Sequence, residues 1–444
     1  MKITVFLISC ILMVSVCPGA DSVPVFHVDA KDRTGREIGT ALGSLIIAEF
    51  PDIEEKIDRY LKSYVSQSQF NYMIRRRLDA IRDSIDKRYT DEVFSMISLL
   101  VHSDRDRLGD GHLSLNEFWF FQLIPDIGRQ GSCSGFGVFG ECSASGTPVV
   151  GRNLDWTTDE ALRSIQAITV YEYGKSVLVN IGFAGYLGVI SGFNDRGLFA
   201  AHLDSPLGLP YPDPPEGRHS AVFDIRKALE TAGSVSDAGR ILSRSLYPFS
   251  HNVLLADKRD IQVLEHPQGE TGRLRTWSSP LRIDISWDKP FQIAVVNFFA
   301  LRGFSNNVSE TRVWNRFKAL ANFSKNNKAY VSDVMNIVLD TKTLLFREKI
   351  FSERTVQSLV FTPEDGKLYL YTVPVSGIHS AHPILKEVKD LIPDSEERIA
   401  GWNGNEKNAL MIFLLVIIVP AVALIYYKWE VRLKKEVKTD EDAV

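Results

Sequence analysis

The sequence predicts an α+β fold, helical in its first third and rich in strands beyond. Three observations carry this. Across residues 40–128 apolar side chains recur at helical spacing, as in Ile53, Ile57, Tyr60 and Leu61 or Met73, Leu78, Ile81 and Ile85. From Cys133 onward, short strand-like runs alternate with turn residues and a few helical stretches. The composition is that of an ordinary globular chain: 444 residues, 45% hydrophobic, 24% charged, net charge −4. That length holds one large core or two modest ones, and the charge balance excludes a nucleic-acid partner.

Both ends carry apolar segments. Residues 1–20 read as a secretory signal, with Lys2, an apolar run from Ile3 to Val16, and small Gly19 and Ala20. Cys10 and Cys17 leave with it. The mature chain then keeps Cys133 and Cys142, too few for a disulfide framework. Residues 409–427 predict a transmembrane helix, since Leu410 to Tyr427 carries no charge and Lys407 and Lys428 flank it. The tail 428–444 holds Arg432, Lys434, Lys435 and Lys438, which places it in the cytoplasm and the body in a lumen or outside the cell. The expectation is a single-pass type I protein of lysosomal, endosomal or surface membrane. Sequons at Asn307 and Asn322 fit glycosylation of such a body, and the polar residues 390–408 suit a stalk.

Residues 21–132 are expected to be helical, with Arg75, Arg76 and Arg77 on a solvated face. Asp106, Asp110, Gly111 and Glu117 follow the spacing of a calcium loop, but Leu108 puts no oxygen at its third position. The reading is a polar turn ahead of a helix from Leu115 to Ile127, with no metal and no cofactor.

Cys133 to Trp156 reads as a β-hairpin. Ser134, Phe136 and Val138 alternate with Gly135 and Gly137, Ser143 to Gly146 makes a polar turn, and Pro148-Val149-Val150 starts the return. Folding about that turn should lay Asp155 and Trp156 roughly opposite Cys133 and Ser134, gathering a thiol, a carboxylate and the Arg152 guanidinium. The glycines on the Cys133 face should leave room for a substrate beside the sulfur. Gly135 to Gly140 also spells GxGxxG, but no helix follows it, so a phosphate loop is rejected. A Cys133–Cys142 disulfide is the competing reading, and an intact strand would exclude it, spanning about 30 Å where a bridge needs about 7 Å.

Further on, Ile165–Tyr171 and Ser176–Ile181 predict neighbouring strands. The glycine-spaced stretch 182–188 and a turn at Asn194 to Gly197 follow them. Pro206 to Pro215 is a proline-rich loop, 220–245 is helical, and Asn252 to Glu265 holds two strands. Ile293 to Phe299 predicts a buried strand ending in Asn297. A helix at Tyr330 to Leu339 precedes a last hairpin from Thr355 to Tyr371, turning at Glu364 to Gly366.

The Cys-Ser pair, short strand, polar turn and Gly151-Arg152-Asn153-Leu154-Asp155 together resemble a branch of the N-terminal-nucleophile hydrolases. That branch comprises acid ceramidase, N-acylethanolamine amidase and penicillin acyltransferase. The resemblance spans most of residues 130–375 and implies a four-layer αββα sandwich. It also implies self-cleavage between Ser132 and Cys133, with the Cys133 thiol as nucleophile and its freed α-amine, of pKa about 8, as base. Arg152 would favour the thiolate and Asp155 would orient the amine or the arginine. Asn297 would donate its amide to the oxyanion, although Phe298 stands where the family often has histidine. Ser309-Glu310-Thr311-Arg312 resembles the family's Ser-x-x-Arg, making Arg312 the second arginine, with Arg316 one helical turn beyond. Residues 21–132 would then be an α-chain that stays bound to the β-chain 133–389. The implied activity is hydrolysis of small-molecule or lipid N-acyl amides of the ceramide or N-acylethanolamine kind. Acyl transfer at the same site, or a non-catalytic binding ectodomain that keeps the fold, are the alternatives.

Overall fold

Strands from both halves of the chain build two sheets that face each other. The computed structural model describes residues 23–127, 131–205, 219–304, 328–340, 350–372, 384–387 and 391. Outside the described residues lie the signal, the loop 206–215, Asn307, Asn322, Arg312 and Arg316. So do nearly all of the stalk, the predicted span 409–427 and the tail. Among the described residues no helix is long and apolar enough to cross a membrane.

The first segment opens on a strand that the sequence reading did not anticipate, β1 (Val25–Asp29). Helices α1 (Gly35–Glu49), α2 (Ile53–Tyr64) and α3 (Gln67–Met73) follow. A π turn at Ile74–Leu78 leads into α4 (Asp79–Arg82), α5 (Lys87–Leu100) and α6 (Leu115–Ile127). Thr34 with Glu37, and Ser66 with Gln69, close capping boxes that fix the starts of α1 and α3. Helices α1 and α5 approach closely because Gly39 has no side chain; a Cβ there would sit 2.1 Å from the Glu92 carbonyl oxygen. The stretch 106–117 is the polar turn expected. Asp106 accepts from the Ser114 hydroxyl and the Asn116 amide, and Ser114 and Glu117 cap α6 reciprocally. Gly109 and Gly111, at φ 85° and 89°, donate their N–H groups to Asp58 of α2, a conformation a side chain would strain.

The hairpin follows as β2 (Ser132–Val138) and β3 (Val149–Asp155), joined through a 3₁₀ turn at Gly140–Cys142. Both cysteines of the body are free thiols. Next come α7 (Glu160–Ser164), β4 (Gln166–Glu172), β5 (Val177–Phe183), β6 (Ser191–Asn194) and β7 (Phe199–Asp204). Helices α8 (Ala221–Thr231) and α9 (Val235–Leu242) precede β8 (His251–Ala256), β9 (Ile261–His266) and β10 (Arg273–Arg275). The described chain ends with β11 (Gln292–Val295), α10 (Val331–Val338), β12 (Thr355–Thr362), β13 (Lys367–Thr372) and β14 (Ile384–Glu387).

One sheet has the order β1-β4-β5-β6-β7-β8-β9-β10 and the other β11-β2-β3-β12-β13-β14. Among the described strands only β1–β4 pairs parallel, and the first segment supplies an edge strand to a sheet made by the rest. Phe193 and Phe199 stack on Phe361 across the gap, with ring centroids 4.4 and 5.9 Å apart. Phe136, Val138 and Val149 pack under Val334 and Val338 of α10 on the outer face of the six-stranded sheet. Helices α8 and α9 lie against the eight-stranded one, with Val222 over Gly188 and Leu229 over Gly192. The layers therefore run helix, sheet, sheet, helix.

Two sequence expectations are corrected here. The room beside Gly135 and Gly137 is filled, because a Cβ at those positions would lie 2.6 Å from Leu254 and 2.5 Å from Ile261. These glycines let the two sheets close together and are not a substrate space. The strand expected to end in Asn297 ends at Val295. The Asn252 amide donates to the carbonyls of Val296 and Phe298, which draws that stretch out of the ladder.

Candidate active site

Hairpin pairing places the predicted groups. Cys133 lies opposite Leu154, Ser134 opposite Asn153, Gly135 opposite Arg152, and Ser132 opposite Asp155. Asp155 therefore sits one to two positions further from Cys133 than the sequence suggested, because the turn closes with Val138 opposite Val149. The gathering of groups survives the shift. Cys133, Arg152, Asp155 and Asn297 are all buried. Arg152 Nη2 stands 3.7 Å from Cys133 Sγ and donates to the His202 carbonyl at 2.8 Å. Burial pushes the Arg152 pKa down, while Cys133 and Asp155 hold it up. A cation this close favours negative charge on the sulfur. Thr355 Oγ1 donates to Asp155 Oδ1 at 2.6 Å, a bond made possible by the β3–β12 pairing.

Asn297 grips the chain on both sides of the nucleophile. Its Oδ1 accepts the Cys133 backbone N–H at 2.9 Å. Its Nδ2 donates to the carbonyls of Asp204 at 2.5 Å and Gly131 at 3.4 Å. This amide is engaged with backbone and not with the space beside the sulfur.

A cavity of about 10 Å³, the space of roughly one water, lies at the thiol. Cys133, Arg152, His202, Asp204, Trp156 and Ile190 are among its walls. A second, wholly apolar space shares Pro125, Trp156 and Ile190 with it. Tyr60, Phe121 and Ile124 line this space from the helical segment, and Leu162, Phe183 and Tyr186 from the other side. The glycine-spaced stretch 182–188 is held there by Gln122, which bonds the Gly185 carbonyl and the Leu187 N–H, and by Asn180.

His202, Asp204 and Thr355 were not picked out from the sequence. Their signal is polarity where none is needed: His202 and Asp204 interrupt an apolar, buried strand. His202 is buried, its Nε2 has no hydrogen-bond partner, and burial with Arg152 beside it lowers its pKa to about 3. It is a neutral imidazole on the cavity wall. Arg312 and Arg316, the two candidates for a second arginine, lie outside the described residues. Among the described residues no group of three His, Cys, Asp or Glu could hold a metal ion.

No family profile and no curated protein matches the chain. Solved structures do. A Caenorhabditis elegans N-acylethanolamine-hydrolyzing acid amidase ortholog matches at 17% identity and a TM-score of 0.39, over 52% of this chain and 93% of that one. A conjugated bile acid hydrolase from Clostridium perfringens matches at 13% and 0.35, over 58% and 92%. Penicillin V acylase from Agrobacterium tumefaciens matches at 15% and 0.34, over 59% and 89%.

Proposed function

We propose that the chain is a self-processed cysteine amidohydrolase of the N-terminal-nucleophile type, acting on N-acyl amides with an apolar acyl part. The observation that carries this is the Cys133 environment: a buried thiol at 3.7 Å from a buried guanidinium, its own backbone nitrogen held by Asn297. In the precursor the Cys133 sulfur attacks the Ser132 carbonyl carbon; the S–C bond forms and the Ser132–Cys133 amide bond breaks. Water then hydrolyses the thioester, leaving a Ser132 carboxylate and a Cys133 α-amine. In the cleaved enzyme the sulfur attacks the substrate carbonyl, the α-amine passes the thiol proton to the leaving amine, and water releases the acyl group. Cleavage also frees the segment holding the Gly131 carbonyl, so Asn297 Nδ2 loses one acceptor and becomes available to an oxyanion.

Support for an apolar acyl part comes from the small apolar space, about 10 Å³, that adjoins the thiol cavity at Pro125, Trp156 and Ile190. Its walls come from both sides of residue 133, so the two pieces must stay together to form it. The Glu92–Arg226 ion pair and the β1–β4 pairing bridge the same division. Anchoring by residues 409–427, glycosylation at Asn307 and Asn322, and a site role for Arg312 belong to the same reading and rest on sequence alone.

Intact mass and N-terminal sequencing of the purified protein, before and after mildly acid incubation, test the reading. A new N-terminus at Cys133 is expected, with Cys133→Ala remaining one chain. A cleaved Cys133→Ala protein would overturn the mechanism.

A further inference from the structure

Three buried histidines form a column that starts at the cavity wall. His202 stacks on His251 with centroids 5.2 Å apart, and His251 stacks on His266 at 5.2 Å with planes only 5° apart. They sit on adjacent strands β7, β8 and β9. Tyr247 presents its edge to His251 and His266 at 4.8 and 4.7 Å, and Phe249 packs against His202 and His251. The column has a sign at each end. Arg152 stands at His202 through the carbonyl bond, and Asp224 reaches the other end through the Tyr247 hydroxyl, 2.9 Å from its carboxylate. His219, paired to Asp224 at 3.3 Å, and Asp126 are the other titratable groups near Tyr247. Cys133 and Asp204 line the same cavity as His202.

We propose that this stack is an acid-responsive latch: protonating its imidazoles parts strands β7–β9 and opens the closed cavity over Cys133. Stacked neutral rings attract, whereas two imidazolium ions at 5.2 Å repel with no solvent between them. Burial drives all three below the ordinary histidine pKa: His202 to about 3 with Arg152 adding to the effect, His266 to about 4, and His251 well below through its two neighbours. The sign follows. An opened state, with histidines near about 6.5, binds more protons than the closed one below that pH. The latch is therefore fully closed above about pH 6.5 and weakens progressively as pH falls. The strand that moves carries the His202 carbonyl that holds Arg152 and the Asp204 carbonyl that holds Asn297. Opening the cavity stands by itself; control of cleavage by that opening rests on the function proposed above.

Hydrogen exchange of the full chain between pH 7 and pH 4, corrected for intrinsic rates, tests the latch. Relative to β12, protection of residues 200–204 and 252–255 is expected to fall by at least about 100-fold. In His251→Phe/His266→Phe, which keeps stacked rings but cannot titrate there, that fall should shrink at least about tenfold. Uniform loss across both sheets, or none in β7 and β8, would overturn the proposal using the parent protein alone. A double variant that opens as the parent does would overturn it too. N-terminal sequencing of the same samples separates the two readings. Opening without cleavage removes self-processing and leaves the latch; cleavage without opening removes the latch and leaves self-processing.

Discussion

Two arginines among the described residues, Arg152 and Arg226, have no exposed surface at all, and their surroundings differ in kind. Arg226 on α8 meets Glu92 at 2.7 Å and Glu230 at 3.0 Å, bonds the Tyr173 hydroxyl, and lies between the rings of Tyr89 and Tyr171. Burial works against its charge, but Glu92, the tyrosines and Glu230 outweigh it and push its pKa up. Arg152 has one carbonyl and one sulfur, and its Nε and Nη1 have no hydrogen-bond partner. Its pKa is pushed down by burial. A charge surrounded by counter-ions is a clamp. A buried charge left partly unanswered costs stability and is kept where a reaction will supply the missing negative charge. Under the function proposed above, that charge for Arg152 is the Cys133 thiolate and the tetrahedral oxyanion formed beside it.

The contrast breaks or stands on two substitutions. Arg226→Leu should be the larger effect, because it strands Glu92 and Glu230 in the interior between the two halves of the chain. A loss of about 3–5 kcal/mol is expected by denaturant unfolding, or failure to accumulate folded protein. Arg152→Met should leave stability within about 1.5 kcal/mol of the parent. It should nonetheless slow formation of the Cys133 N-terminus by about 100-fold, followed by intact mass over time. If Arg152→Met proves as destabilising as Arg226→Leu, both arginines are structural and the site loses its main electrostatic argument.

Much of this was legible because strand chemistry is local. The glycine–apolar alternation of β2 and the polar turn after it specify a hairpin, and the hairpin alone brings Arg152 to Cys133. What local pattern does not hold is the count of residues inside the turn, so the register slipped and Asp155 moved past the nucleophile. The faces were also misjudged. Gly135 and Gly137 look like space in one dimension, but the partner sheet, some 120 residues later in sequence, sends Leu254 and Ile261 into it. β1 was missed since five residues of VFHVD are stabilised only by β4, far along the chain. Asn297 was found through the resemblance; its grip on Cys133 N and the Asp204 carbonyl spans 164 and 93 residues and leaves no sequence trace.

The same comparison extends to a carboxyl. Asp126 of α6 is fully buried, accepts from the Ser220 hydroxyl and the Ala221 N–H, and titrates near 7. Burial raises it, the two hydrogen bonds pull it back, and Asp224 adds to the rise. Its folded pKa lies above the unfolded value of about 3.9, so the folded chain holds the extra proton between those limits. That stabilisation is complete below about pH 4 and is lost as pH rises through 7. Asp126→Asn keeps an acceptor for Ala221 and cannot ionise. Its melting temperature relative to the parent should rise by about 2–4 °C between pH 5 and pH 8, read by scanning calorimetry. Glu230, which burial raises but Arg226 and Arg88 pull below the ordinary carboxylate range, contributes no such slope. An Asp126→Asn offset equal at both pH values would mean that Asp126 too is neutralised by partners, and that burial alone does not mark the unanswered charges of this fold.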